Sequence, residues 1–97
     1  MAKYVGLYRW TEQGAKTLKD TVKRANDARK LAEQAGGRIL NVYWTQGAYD
    51  FVVISEFPDD ETASAMALSV ARQGNVRSET MRAFDEGEME RISQKLL

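Results

Sequence analysis

The stretch Gly47-Ala48-Tyr49-Asp50 places a phenol and a carboxylate side by side where a turn feeds a strand, and that pair is the chain's candidate for proton-transfer chemistry. Asp50, beside aromatic residues at a cleft mouth, is a candidate acid or base of raised pKa, with Tyr49 as its companion. Turn chemistry explains the same residues without catalysis. Gly47 tolerates positive φ, Asp50 accepts backbone N–H groups, and Tyr49 packs its ring while its hydroxyl stays wet. A second set is aromatic: Tyr4, Tyr8 and Trp10 on one strand, Tyr43 and Trp44 on another, with Tyr49. If space survives between sheet and helices, these rings line a pocket for a small, partly apolar ligand, with Gly47 at its turn. Aromatic stripes at strand period also serve as core or dimer interface, and both readings stay open.

Much other chemistry is excluded by composition. The chain has no Cys and no His. Thiolate nucleophiles, iron–sulfur clusters, Ser-His-Asp triads and histidine-ligated iron are therefore ruled out, and no cofactor is expected. A metal would depend on carboxylates, and the consecutive Asp59, Asp60 and Glu61 fan outward at a helix start, where capping and the helix dipole account for them. No metal site is expected. Gly74-Asn75-Val76-Arg77 precedes a strand, not a helix, so it reads as a helix C-cap and not a phosphate loop. Arg77 and Arg82 fall on opposite faces of the strand that follows and are read as ion-paired or solvated.

These side chains are positioned by a short list of elements. Ninety-seven residues support one domain, residues 1–97. Lys3 to Trp10 reads as strand one, followed by a Thr11–Gly14 loop. From Ala15 to Ala35, Leu18, Val22, Ala25, Ala28, Ala32 and Ala35 recur at helical spacing, and Gly36-Gly37 stops the helix. Arg38 to Thr45 and Tyr49 to Phe57 form a hairpin around the tight turn Gln46-Gly47-Ala48. Asp59 caps a helix carrying Ala63, Met66, Ala67, Val70 and Ala71 that ends at Gly74. Asn75 to Phe84 is strand four, and Asp85 with Glu88 has capping-box spacing before a terminal helix bearing Met89, Ile92 and Leu96. The order predicts an α+β, ferredoxin-like βαββαβ antiparallel sheet with a C-terminal helix.

Strands two and three are apolar on both faces, more than one helical layer can cover. Val52 and Ile54 are expected opposite Tyr49, Phe51, Val53 and Phe57, and Leu40, Val42 and Trp44 opposite Ile39 and Tyr43. An apolar face left in water at roughly 25 cal/mol per Å² calls for a partner. The expected partner is a second copy, as a homodimer or higher homo-oligomer through the open sheet face, with the terminal helix as an alternative cover. Fourteen basic and fourteen acidic residues cancel, which argues against nucleic acid or an anionic membrane as partner. The zero is uneven, because residues 1–48 carry +5 and residues 49–97 carry −5. That asymmetry serves either pairing between the basic first helix and the acidic segments after Pro58 and Asp85, or orientation of one subunit against another. With no secretory pattern or long apolar run, a cytoplasmic setting is the expectation.

The run Thr45-Gln46-Gly47-Ala48-Tyr49-Asp50-Phe51-Val52-Val53 resembles the signature of the GYD domain family, named for a Gly-x-Tyr-Asp hairpin. Thr11–Gly14, Gly36-Gly37-Arg38, Pro58–Glu61, and Gly74–Arg77 with Thr80, Arg82, Ala83 and Phe84 resemble its other recurrent elements in the same order. The resemblance covers about Tyr4 to Ile92. It implies a fold of the dimeric α/β-barrel group and a binding or assembly module for a small ligand or a protein. The alternative it implies is a small cofactor-independent enzyme, monooxygenase- or isomerase-like, using Asp50 and Tyr49.

Overall fold

A computed structural model describes all 97 residues. Four strands, β1 (Ala2–Trp10), β2 (Arg38–Trp44), β3 (Phe51–Phe57) and β4 (Val76–Ala83), form one sheet in the order β2-β3-β1-β4. Every neighbouring pair is antiparallel, with Gly6 of β1 opposite Val53 of β3 and Thr80 of β4. The helices are α1 (Glu12–Lys16), α2 (Thr21–Gln34), α3 (Asp60–Ala71) and α4 (Glu86–Ser93). This is the ferredoxin-like βαββαβ arrangement with an added terminal helix. Helices α2 and α3 cover one face of the sheet, and the buried core of Tyr4, Ala32, Phe57, Ala63 and Met66 lies between them and the strands.

The expected continuous helix from Ala15 to Ala35 is broken. Thr11 caps α1 by accepting from the Gly14 N–H (3.2 Å), and its own N–H and hydroxyl donate to the carbonyls of Asn75 and Gly74. That docking fixes the direction of α1 against the start of β4, a direction different from the one that covers the sheet. The chain therefore leaves helical geometry at Thr17 (φ −115°, ψ 34°), makes one 3₁₀ turn over Leu18–Asp20, and restarts as α2. Leu18 and Val22 (57% exposed) point to solvent, while Ala25, Ala28 and Ala32 face the sheet as the spacing predicts, joined by Leu31.

Two further boundaries move. Strand β3 begins at Phe51, not Tyr49, because the connection is a six-residue loop, Thr45–Asp50, closed by the Thr45 N–H to Asp50 carbonyl bond. Tyr49 thus escapes the strand's alternation. A β-bulge between Ile39 and Asn41 inserts one residue into β2, which moves Ile39 onto the face of Val42 and Trp44, opposite Tyr43.

The caps are as expected. Asp59 accepts from the Thr62 N–H (2.8 Å), Asp85 and Glu88 close a capping box, and Gly36 (φ 80°) and Gly74 (φ 85°) supply left-handed stops. Backbone hydrogen bonds hold the carboxyls of Asp59, Asp85 and Glu88 below the usual carboxylate range, with the Arg82 guanidinium assisting Glu88. Groups with depressed folded pKa values stabilise above their unfolded values, roughly pH 4, and lose that contribution as pH falls through the folded ones. Acidification below about pH 4 is therefore expected to fray α3 and α4 at their N-termini before the sheet melts, an order that amide hydrogen exchange along the acid titration reads directly.

Helix α4 stands largely clear of the body. Its start is tethered by Arg82 to Glu88 (3.2 Å) and Lys3 to Asp85 (3.7 Å), yet Met89 is 52% exposed and Leu96 more so. The radius of gyration, 14.5 Å, exceeds the roughly 12.5 Å of a compact chain this long. The open sheet face is consequently not covered by α4. It carries Val5 and Leu7 of β1, Val52 and Ile54 of β3, Met81 of β4 and Tyr43 of β2, the alternate set to the helix-facing residues in the observed register.

Candidate functional site

Between the helix-covered face and α2 and α3 lies a cavity of about 250 Å³, open at one side. Its floor is built by alternation: Tyr4, Gly6, Tyr8 and Trp10 from β1, Phe51, Val53, Ser55 and Phe57 from β3, and Ile39, Val42 and Trp44 from β2. Small residues leave space under the roof, with Ala25 and Ala28 from α2 and Ala63 and Ala67 from α3. The aromatic end is ordered around Phe51, whose ring stacks on Tyr8 at 4.7 Å and 12°, with Trp10 and Trp44 tilted at 6.0 and 6.5 Å. The alanine roof gives up packing that larger side chains could supply.

Of the aromatic set, the structure brings Tyr8, Trp10 and Trp44 together at the cavity. Tyr43 and Tyr49 do not line it: Tyr43 sits between Val42 and Trp44 in the strand alternation and so faces the other side, and Tyr49 lies in the loop before β3. Tyr43 is 59% exposed on the open face. The Tyr49 hydroxyl donates to Glu79 (3.1 Å) and its ring lies under the Arg9 guanidinium at 4.5 Å. Gly47 adopts φ 139° in the exposed loop, with no atom within 4 Å of where a Cβ would stand, so only backbone conformation calls for glycine there.

Asp50 is committed to structure. Its Oδ2 accepts the Trp10 backbone N–H (2.9 Å), its own N–H donates to the Tyr8 carbonyl, and its carbonyl accepts from Thr45. The carboxylate thereby ties the hairpin loop to the end of β1, beside the cavity but outside its lining. Asp50→Ala, which strands the Trp10 N–H, is expected to cost about 1–2 kcal/mol in urea unfolding, and Asp50→Asn, which keeps an acceptor, less.

Sequence reasoning missed two polar features. Tyr4, 5% exposed, donates to Asp60 Oδ1 at 2.5 Å. Burial first, then this hydrogen bond, pushes the Tyr4 phenol up to about 12, and burial also raises that of Tyr8. A raised folded pKa means stability held below the unfolded value near 10 and lost as pH rises towards 12. Tyr4→Phe should lose about 1 kcal/mol at neutral pH and show a shallower decline between pH 10 and 12 than the parent, measured by denaturant unfolding. The second feature is Ser55, the buried polar side chain of the core. It occupies an inward position between Val53 and Phe57, a break in the apolar alternation visible in the sequence.

The charge pairs of the first two helices are local. Lys16 bonds Glu12 (3.3 Å) and Lys23 bonds Asp27 (3.2 Å) within their own helices, so the basic α2 does not pair with the acidic segments after Pro58 and Asp85. Across the halves, Arg38 meets Glu56 (2.9 Å) and Lys3 meets Asp85. Arg82 is ion-paired with Glu88 and stacks on Phe84 at 4.5 Å, while Arg77 lies exposed on the opposite face. No group of three or more carboxylates is assembled that could hold a metal ion, and no helix is long and apolar enough to cross a membrane.

Comparison with known proteins adds three kinds of relation. The family described as GYD domain matches residues 4–93. The glutamine synthetase and cystathionine beta-lyase binding protein of Thermus thermophilus is 31% identical over 85 residues, covering 87% of this chain and 90% of that protein. Two crystal structures share the fold. MtbAldR matches with a TM-score of 0.69 at 13% identity over 88% of this chain, which spans only 52% of MtbAldR. TTHA0845 from Thermus thermophilus matches with a TM-score of 0.55 at 21% identity, over 88% of this chain and 95% of that one.

Proposed function

The chain belongs to the GYD domain family, and from that premise we propose that it is a homo-oligomeric binding and assembly module that engages a partner protein. The observation that carries the reading is the uncovered sheet face, where Val5, Leu7, Val52, Ile54, Met81 and Tyr43 form an apolar surface across all four strands. Helix α4 supports it. An eight-residue amphipathic helix is marginal in isolation, and on its apolar side Met89 is left 52% exposed. A second copy related by a two-fold axis covers both surfaces at once, and the charged rim of Lys3, Arg9, Glu56 and Glu79 sets the register.

A protein partner is favoured by the relative named for binding glutamine synthetase and cystathionine beta-lyase. The exposed lysines of the first two helices offer it a basic surface that speeds encounter more than it tightens the complex. Surface plasmon resonance with purified glutamine synthetase and cystathionine beta-lyase from the chain's own organism tests the reading. Saturable binding of either, weakened by salt, is expected; no binding of both at high micromolar concentration contradicts it. A cytoplasmic setting belongs with such partners. The enzymatic alternative has less behind it, because Asp50 is spent on the backbone and Tyr49 on Glu79.

A further inference from the structure

We propose that the cavity between the sheet and helices α2 and α3 is a binding site for a small, neutral aromatic molecule carrying one oxygen able to hydrogen-bond. The site lies on the side of the sheet opposite the assembly surface, so this inference stands or falls independently of the oligomer.

Size, wall and charge each select the ligand. A volume of about 250 Å³ exceeds the roughly 150 Å³ that holds benzene and suits a single substituted ring or a small bicycle. The wall at the Phe51 end offers ring faces and edges in several orientations, from Tyr8, Trp10 and Trp44, which favour a planar π-system over a branched aliphatic one. The lining contains two charged side chains, both from α2: Asp27 pairs with Lys23, and Arg24 donates to Thr17 and to the Gly14 carbonyl of α1. A cationic ligand would be desolvated with no free counter-charge, and an anionic one would have to draw Arg24 away from those partners.

Two hydrogen-bonding groups mark the wall. Ser55 puts a hydroxyl among apolar residues in the middle of the floor. The Trp10 indole N–H is buried without an acceptor, whereas that of Trp44 donates to Thr21 at 3.0 Å. A buried donor left unpaired is unusual; it is sealed from the open space of the cavity, so Trp10 contributes a ring wall and the group placed to meet a ligand oxygen is the Ser55 hydroxyl.

Three probes of similar shape test this on the full chain: acetophenone, ethylbenzene and benzoate, followed by the assigned indole N–H resonances of Trp10 and Trp44. Acetophenone is expected to shift both saturably, ethylbenzene several-fold more weakly, and benzoate not at all. Ser55→Ala should weaken acetophenone about fivefold and leave ethylbenzene unchanged. Ala28→Leu, which fills the cavity from α2, should abolish binding without lowering the unfolding temperature. Ala67→Leu does the same from α3 should the first variant fail to fold. Absence of a saturable acetophenone shift, benzoate binding as strongly as acetophenone, or undiminished binding by folded filled-cavity variants would overturn the proposal.

Discussion

Gly14→Ala is expected to destabilise the chain by about 3 kcal/mol or more, seen as a fall in the urea midpoint with little change in slope. A Cβ at position 14 would stand 2.0 Å from the Asn75 carbonyl oxygen and 2.9 Å from its carbon. That oxygen is backbone, held by the Thr11 N–H at 3.1 Å, and the Thr11 hydroxyl grips the adjacent Gly74 carbonyl at 2.6 Å. The clash cannot be relieved by a side-chain rotation. It must part α1 from the start of β4 and so disturb the pairing of β4 with β1. Alanine's better helix propensity returns at most about 1 kcal/mol. Gly87→Ala in α4 is the control, because the nearest atom to its Cβ is Asp85 Oδ1 at 3.5 Å. It should be neutral or slightly stabilising.

The order of elements, the caps and the ferredoxin-like topology could be read from residue spacing because they rest on local signals: period-two and period-3.6 patterns, Asp59 and Asp85 as N-caps, Gly36 and Gly74 as stops. What could not be read depended on contacts distant in sequence. The break at Thr17 follows from Gly14 docking on Asn75, far along the chain, which no helical pattern encodes. The bulge at Ile39 to Asn41 shifts parity by one residue and brings Ile39 onto the pocket wall, while Tyr43, next to Trp44 in the alternation, faces the other side. Tyr49 left it because the loop closes at Asp50 and not before Tyr49. Tyr8, Trp10 and Trp44 kept their expected places because the alternation runs unbroken from each to its neighbours on the helix-facing side. Tyr4 with Asp60 went unseen because nothing in either local sequence points to the other.

On the proposed assembly, Met81→Asp is expected to dissociate the oligomer, raising its dissociation constant about a thousandfold or more. Met81 lies opposite Val5 on the open face and is 46% exposed, so the substitution leaves the fold of one chain nearly unchanged. In a two-fold assembly through that face, each substitution places two unpaired carboxylates in the interface, and an unpaired buried charge costs several kcal/mol. About 4 kcal/mol corresponds to that thousandfold change. Leu7→Asp, nearer the centre, should act more strongly but also weaken the single chain. Sedimentation and unfolding of the two variants together therefore separate assembly from folding.

Sedimentation equilibrium of the unaltered chain across micromolar concentrations tests the central claim most directly. The sheet face and α4 predict a mass of at least twice the 11.0 kDa of one chain. A mass of one chain at every concentration would contradict it, since the apolar face would then stand in water without a partner.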